Sequence, residues 1–182
     1  GYVSSTLHNK VKENDVIALS APTGNFFLFN PEKTNVLIRA GIGLTPMMAM
    51  LNQLLTGNTD PNEKVTLWEK IKANFNKPEP KNPINFIHAV RNSRVHAMKE
   101  TVQDLAKKHD NLNVFVAYEQ TDSKDVLGRD YHAEGRLNLK QLDAKMLPKD
   151  ADYYLCGPIP FMQVQHKALL ELGIPAQNIH SE

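Results

Sequence analysis

Apolar residues recur along the chain with two different periods, and the alternation between them predicts an α/β fold. From about residue 32 onward, short apolar runs typical of buried strands are followed by stretches in which apolar residues recur every three or four positions, as in amphipathic helices. Such alternation favours right-handed crossovers and a parallel sheet. The predicted strands are 35–40, 84–90, 113–118, 152–156 and 175–179, and the predicted helices are 47–55, 95–109 and 158–172. The predicted fold class is therefore a Rossmann-like α/β domain with a parallel five-stranded sheet flanked by helices.

Residues 1–31 follow a different pattern, which predicts the end of a separate β domain. Two apolar runs, 16–19 and 26–29, flank the turn-forming residues 22–25, as in a hairpin or the edge of a barrel. About thirty residues bury too little surface to form a stable domain alone. The expected organisation is therefore a remnant of a β-barrel at 1–31, followed by a second domain at 32–182.

Two polar stretches interrupt the second domain. Residues 57–83 are rich in proline and charge and are predicted to be an insertion, with one short amphipathic helix at 64–75 that contains Trp68. Residues 120–135 are predicted to form a loop, because they combine polar residues with glycine and lack an apolar period.

Composition narrows the class of protein. The 182 residues are 41% hydrophobic and 23% charged, as in a folded chain of about one domain plus a fragment. A formal net charge of +1 gives no general attraction to nucleic acid or anionic lipid, and no apolar run is long enough to span a membrane. The single cysteine, Cys156, excludes an internal disulfide and fits a reducing compartment such as the cytoplasm. Because the sequence opens on Gly1 without a signal-like segment, we expect it to start within a longer chain.

The strongest chemical signal is a glycine turn between the first predicted strand and the first predicted helix. Gly41 and Gly43 permit a tight turn and a close approach of a ligand to the backbone, because neither carries a Cβ. Thr45 is expected to cap the helix and Pro46 to be its first residue, so that free N–H groups and the positive helix end form a seat for a diphosphate. The full G-x-G-x-x-G pattern is not met, because position 46 is proline. A tight turn without a ligand is the alternative.

A second glycine turn follows the strand predicted at 152–156. Cys156 ends that strand, Gly157 allows close approach, and Pro158 can start a helix. In a parallel sheet both turns lie at the carboxyl ends of strands, where α/β proteins bind ligands. By itself Cys156 is typical of a small buried side chain, and its place beside the turn makes it a candidate for ligand contact. His88 ends another strand at the same edge, where basic side chains could pair with phosphate or form a solvated loop.

Taken in order, these motifs resemble one family. The segments that carry the resemblance are 1–4, 20–27, 40–47, 88–92, 154–162 and 179–182. They resemble the reductase half of flavohaemoglobin, a nitric oxide dioxygenase of the ferredoxin–NADP⁺ reductase-like superfamily. The G-x-G-x-T-P-M and C-G-P motifs are shared across that superfamily. The more specific features are the Leu-His-Asn segment at 7–9, the A-P-x-G-x-F-F turn and the I-H-x-E ending.

The resemblance implies a parent protein with a haem-binding globin, an FAD-binding β-barrel and an NAD(P)H-binding domain. In that family hydride passes from the nicotinamide to the flavin, and electrons then reach a haem that converts nitric oxide and O₂ to nitrate. The residues implied to bind the nicotinamide dinucleotide are Gly41, Ile42, Gly43, Leu44, Thr45, Pro46, Cys156, Gly157 and Pro158. Gly1, Val3 and Ser4 are implied to lie against FAD, and Glu182 and Cys156 are the implied catalytic residues, beside the flavin and the nicotinamide ring.

The sequence also departs from the family pattern. Arg39 stands where the family usually has a small residue, and it could contact a phosphate or point elsewhere. The Arg-x-Tyr-Ser flavin clamp, the haem-ligating histidine and a final aromatic-Gly-Pro segment are absent. We therefore expect an incomplete FAD site, haem in the parent protein only, and no turnover by the isolated chain.

Two other interpretations remain at this stage. A related reductase could serve an iron–sulfur protein or an oxygenase, or the chain could be a non-catalytic module that binds a partner through the 57–83 insertion. The preference for NADH or NADPH also stays open, because residues 118–120 offer no decisive charge at the ribose 2′-position.

Overall fold

The protein is built on an open parallel sheet of six strands in the order β4-β3-β2-β1-β5-β6. A computed structural model describes residues 2–18, 20–21, 23–56 and 82–182. The strands are β1 (Asn35–Ala40), β2 (Ile84–Val90), β3 (Leu112–Tyr118), β4 (Ala133–Glu134), β5 (Asp152–Cys156) and β6 (Ile179–Ser181). Every described strand pair is parallel, so the carboxyl ends of all six strands lie at one edge of the sheet.

Helices cover both faces of this sheet. Those described are α1 (Tyr2–Asn9), α2 (Leu44–Thr56), α3 (Lys99–Lys108) and α4 (Ile159–Glu171). Leucine and methionine side chains of α2, with Val102 of α3, pack on the face that carries Leu37 and Phe86. Leu169 of α4 packs on the opposite face with Val36 and Ile38. Because both faces are covered, β1 is a continuous apolar run rather than an alternating one.

The α/β prediction is confirmed, with corrections to individual elements. The sheet has six strands instead of five, because β4 forms within the predicted loop at 120–135. The last strand lies at 179–181 instead of 175–179, after a 3₁₀ turn. The helix predicted at 95–109 starts only at Lys99, because Met98 adopts a left-handed backbone conformation (φ 58°) and breaks the helical path.

The segment before β1 differs most from expectation. Residues 2–9 form α1, none of whose side chains is buried, and the described residues of 10–34 contain no strand. The described residues of the runs 16–19 and 26–29 therefore form no strands, and the expected hairpin is not seen among them. An extended run becomes a strand only when a neighbour completes its hydrogen bonds, and the described residues supply no such neighbour. The insertion predicted at 57–83, with its helix at 64–75, lies outside the described residues apart from 82–83.

Tyr154 of β5 ties the irregular segment 26–30 to the sheet. The backbone N–H of Phe29 donates to the Tyr154 hydroxyl at 2.8 Å, and the Phe26 ring meets the Tyr154 ring edge-on. Asn30 donates from its side chain to the carboxylate of Asp152 at 2.8 Å. These contacts place segment 26–30 beside β5 and β6 without a strand ladder.

A row of buried and half-buried polar side chains crosses the sheet near its carboxyl edge. Arg39 of β1 lies directly opposite His88 of β2, and an Arg39 guanidinium nitrogen contacts the His88 imidazole. The His88 ring meets the His96 ring edge-on, with centroids 4.7 Å apart, and Nδ1 of His96 lies 2.8 Å from the Tyr118 hydroxyl of β3. The row therefore connects the ends of three adjacent strands.

No helix in the described ranges is both long enough and apolar enough to cross a lipid bilayer.

Replacing Tyr154 with Phe should release segment 26–30 from β5. The variant leaves the Phe29 N–H without its acceptor, at a cost of about 1 kcal/mol in the free energy of unfolding. We expect faster hydrogen exchange at residues 26–30, measured by mass spectrometry. Tyr153→Phe is the matched control, because its hydroxyl bonds the Pro148 carbonyl at the same distance. Equal hydrogen-exchange rates at residues 26–30 in the two variants would contradict the role of the Tyr154 hydroxyl in holding this segment.

The buried His88 should make the fold sensitive to acid. Burial lowers the pKa of His88 to about 2, with smaller contributions from Arg39 and His96, whereas an unfolded histidine titrates near 6.5. Below pH 6.5 the unfolded chain takes up a proton at His88, whereas the folded chain keeps the imidazole neutral. The free energy of unfolding is therefore at its full value above pH 6.5 and decreases as the pH falls further below 6.5.

We expect the free energy of unfolding to fall by about 1 kcal/mol per pH unit from this histidine between pH 6 and 4. Urea titrations of His88→Asn should show a shallower pH dependence than the wild type, and His8→Asn, at an exposed position of α1, should not. An unchanged slope in His88→Asn would refute the explanation.

Candidate functional site

The two glycine turns predicted from the sequence meet at the carboxyl edge of the sheet. β1 and β5 are neighbours, with Arg39 opposite Cys156, so the turn after each strand starts at the same level. A Cβ built on Gly43 would lie 2.2 Å from the carbonyl oxygen of Cys156 and 2.4 Å from its carbonyl carbon. Real Cβ atoms do not approach backbone this closely, so only glycine fits at position 43.

Gly157, in the second turn, is confined in a similar way by the first turn. A Cβ there would lie 3.0 Å from the carbonyl oxygen of Ala40 and 3.1 Å from the ring of Phe161. Gly41 has φ +53°, a left-handed conformation that most side chains avoid, and it has space beside Pro158. The two turns therefore pack backbone against backbone, with Gly43 buried in the contact and Gly41 exposed at the surface.

The start of α2 follows the first glycine turn directly. Residues Gly41–Gly43 form a 3₁₀ turn that continues directly into α2 at Leu44. The expected cap at Thr45 is therefore wrong, because helical geometry begins before that residue. Pro46 is the third helical residue, still within the first turn, where no intrahelical partner exists for its missing N–H. The positive helix end remains a seat for an anion.

Arg39 adds a buried cation next to the glycine turn. Its side chain lies on the sheet face that α2 covers, and the residue is only 2% exposed. Within the described ranges Arg39 forms no ion pair, and its Nε and Nη1 atoms have no hydrogen-bond partner. Burial lowers the pKa of Arg39 to about 10, so the guanidinium stays charged at neutral pH.

Cys156 and Glu182 lie together at the same edge. The backbone N–H of Glu182 donates to the carbonyl of Leu155 at 3.2 Å, which places Glu182 after β6 and beside Cys156. Burial, more than the nearby Glu182 carboxylate, raises the pKa of the Cys156 thiol, while Arg39 opposes that rise. The thiol is thus neutral at pH 7.

A cavity of about 400 Å³ opens beside Glu182, between β6 and segment 25–29. The rings of Phe29 and His180 stack in its wall, with centroids 4.3 Å apart. Its lining residues are Asn25, Phe26, Phe29, His180, Ser181 and Glu182. The cavity offers aromatic surface and one carboxylate next to the second glycine turn.

The structure brings together most of the residues predicted for the site. Residues 41–46, 156–158 and 182 cluster at the carboxyl edge; only the backbone is described for Ile42. Val3 and Ser4 lie on the exposed helix α1 rather than in a strand, and Gly1 lies outside the described residues. Of the residues predicted to face the flavin, Glu182 is the one that the described structure places at this edge.

Sequence reasoning missed the connection from His88 through His96 to Tyr118. The sequence pattern places His88 at the carboxyl edge, but His96 lies in the part of the predicted helix 95–109 that is not helical. The signal that could have found the Arg39–His88 pair is positional. Both are polar residues at the same depth of two apolar strands, and parallel pairing places them side by side.

Chemically, this edge is suited to an anion with an attached planar ring. The bare glycine backbone, the start of α2 and Arg39 favour a diphosphate, while the second turn and the aromatic cavity offer space for a ring. No group of three or more histidine, cysteine, aspartate or glutamate side chains in the described ranges could hold a metal ion.

Comparisons with known proteins point to the same chemistry. A family model described as the oxidoreductase NAD-binding domain matches residues 37–167, which include both glycine turns. The flavohemoproteins of Bordetella pertussis and Rhizobium meliloti are 42% and 38% identical to this chain over 183 residues. Each alignment covers 100% of this chain and 40% of the relative, so the chain spans about two fifths of the length of these proteins.

A solved structure agrees in fold and sequence. The flavohem-like FAD/NAD binding domain of nitric oxide dioxygenase from Vibrio cholerae has a TM-score of 0.72 and 33% identity, covering 99% of this chain and 63% of that one. The resemblance to flavohaemoglobin reductases drawn from the motifs is thereby confirmed. With the family model matching most of its length, the chain belongs to the oxidoreductase NAD-binding domain family.

Proposed function

We propose that this chain binds a nicotinamide dinucleotide, NAD(P)H, across the joint of the two glycine turns. The observation that carries the proposal is the packing of Gly43 against the Cys156 carbonyl, which leaves no room for a side chain at position 43 and joins the two turns. A diphosphate needs such an approach to bare backbone, and the start of α2 supplies the N–H groups and the positive dipole.

The nicotinamide ring is proposed to lie over the second turn. Gly157 lets a planar ring approach the backbone, and Cys156 and Glu182 flank it. When bound, the dinucleotide supplies a hydride at its C4 carbon; the protein's contribution is to position that carbon and exclude water. The neutral Cys156 thiol suits a contact residue better than a nucleophile, because a raised pKa leaves little thiolate at neutral pH.

The acceptor is proposed to be FAD, held against the aromatic cavity beside Glu182. Phe29 and His180 contribute aromatic rings to the lining of that cavity, and Glu182 contributes a carboxylate. In the longer protein that the relatives represent, electrons would continue to a haem-bearing globin for nitric oxide dioxygenation. The flavohemoprotein relatives and the Vibrio cholerae nitric oxide dioxygenase support this assignment.

The domain organisation and setting belong to the same proposal. Residues 32–182 are proposed as the NAD(P)H-binding domain, and 1–31 as a segment that belongs with the FAD-binding domain. The near-neutral formal charge and single cysteine support a cytoplasmic protein that binds neither nucleic acid nor membrane.

Replacing Gly43 with Ala should abolish dinucleotide binding. The added Cβ overlaps the Cys156 carbonyl, so the two turns must separate and the bare cradle is lost. We expect the Kd for NADH, measured by calorimetry on the 182-residue chain, to rise at least about tenfold, a loss of about 1.4 kcal/mol. Thermal unfolding measured in parallel tests whether the variant still folds.

Two alanine variants serve as controls for this experiment. Gly128 has φ +83° and open space around it, so Gly128→Ala adds backbone strain away from the site and should leave NADH affinity unchanged. Gly41→Ala adds comparable strain at the turn with only an ordinary contact to Pro158, so its effect should be intermediate. Wild-type affinity in Gly43→Ala would remove the main support for the proposed site.

The single cysteine gives a direct test of where the nicotinamide lies. Alkylation by iodoacetamide reports on Cys156 alone, and its rate should fall at least about fivefold with saturating NADH. Adenosine monophosphate, which lacks the nicotinamide, should protect much less. Because the pKa of Cys156 is raised, the alkylation rate should still be climbing above the ordinary thiol value of about 8.5. Equal protection by both nucleotides would place the ring elsewhere.

A further inference from the structure

Arg39 is the one buried cation of the described ranges that has no acidic partner. The residue is 2% exposed, and none of the ion pairs in the described ranges includes it; the buried carboxylates Asp130 and Asp152 lie next to other cations. Its Nη2 atom contacts His88, and its Nε and Nη1 atoms have no hydrogen-bond partner there. A buried charge without a partner lowers stability, and such groups persist where they serve a purpose besides folding.

The neighbours of Arg39 leave its charge in place. His88 stays neutral at physiological pH, because burial holds its pKa far below the usual histidine value. Cys156, on the opposite flank in β5, is a neutral thiol. Neither side chain neutralises the guanidinium, so the positive potential of Arg39 acts on whatever occupies the carboxyl edge.

Arg39 lies two residues before the first glycine turn in the chain. Arg39 precedes Ala40 and the 3₁₀ turn Gly41–Gly43 in the chain, and its side chain lies on the face covered by α2. The positive end of the α2 dipole and the Arg39 side chain therefore lie at the same edge of the sheet. Both favour an anion, and the planar guanidinium matches the oxygens of a phosphate in a two-pronged contact.

We propose that Arg39 is an anion-binding residue of this site, which grips the diphosphate of the dinucleotide from the sheet side of the glycine turn. This rests on the proposed function for the identity of the ligand, and on the unpartnered guanidinium for the anion site itself. Because the side chain is covered, a phosphate oxygen reaches it when the guanidinium turns from His88 toward the edge. His88, in its neutral form, accepts a hydrogen bond from the guanidinium and so holds it in place.

The test compares Arg39→Met and Arg39→Lys with the wild-type 182-residue chain. Calorimetry with inorganic pyrophosphate, ADP, adenosine and NADH separates the anion from the rest of the ligand. We expect Arg39→Met to raise the Kd for pyrophosphate, ADP and NADH by roughly tenfold to a hundredfold, the range for a charge-assisted hydrogen bond. The Kd values of Arg39→Lys should lie between those of the wild type and Arg39→Met, because lysine keeps the charge but lacks the planar guanidinium. Adenosine affinity should not change.

Thermal unfolding without ligand separates a binding role from a structural one. Methionine fills a similar volume without a buried charge, so Arg39→Met should unfold at the same or a higher temperature than the wild type. Weaker anion binding together with unchanged or higher stability supports the proposal. A lower unfolding temperature with unchanged pyrophosphate affinity would show that Arg39 is merely structural.

The remaining outcomes distinguish this inference from the proposed function. If the wild type and Arg39→Met bind NADH equally well, the role of Arg39 is overturned and the dinucleotide site stands. Should the wild type bind pyrophosphate in an Arg39-dependent way but not NADH, the anion site stands and the dinucleotide function fails. Binding of neither pyrophosphate nor NADH by the wild type would overturn both.

Discussion

The contact of Gly43 with the carbonyl of Cys156 is the constraint on which the carboxyl edge depends. Two strand-to-helix turns meet where there is no room for a Cβ on Gly43, so their backbones lie closer than an ordinary side chain there would permit. The contact requires β1 and β5 to be parallel neighbours in the observed register, with Arg39 opposite Cys156. A shift of one residue would move the Cys156 carbonyl away from Gly43. The order of the strands, their register and the geometry of the site therefore depend on one another.

Charge is distributed along this edge in a definite order. The guanidinium of Arg39 and the start of α2 make the region over β1 positive, and Glu182 places a carboxylate after β6. His88 and Cys156 lie between or beside these charges in their neutral forms. A dinucleotide carries an anionic diphosphate and a ring that becomes cationic on oxidation. Its two parts match the positive and the negative ends of the edge, which favours one direction of binding.

Local signals explain which parts of the structure the sequence could predict. The strands at 35–40, 84–90 and 152–156 appear at their predicted bounds, because buried parallel strands are continuous apolar runs that need no distant information. The glycine turns were equally legible. The sixth strand was not, since Ala133 and Glu134 pair with β3 only through tertiary contact. The conformation of segment 26–29 also depends on a distant residue, the hydroxyl of Tyr154.

Arg39 shows why the role of a site residue can depend on the three-dimensional structure even when the neighbouring sequence motif is clear. In the sequence it interrupts an apolar strand and departs from the family pattern, which leaves both a phosphate contact and an unrelated orientation open. Parallel pairing places it between a neutral imidazole and a neutral thiol, so the fold surrounds the cation with groups that cannot neutralise it. Packing alone would favour an apolar residue at this depth. The retained charge is best explained by a ligand that brings the missing negative charge, and the neighbouring glycine turn is where such a ligand would bind.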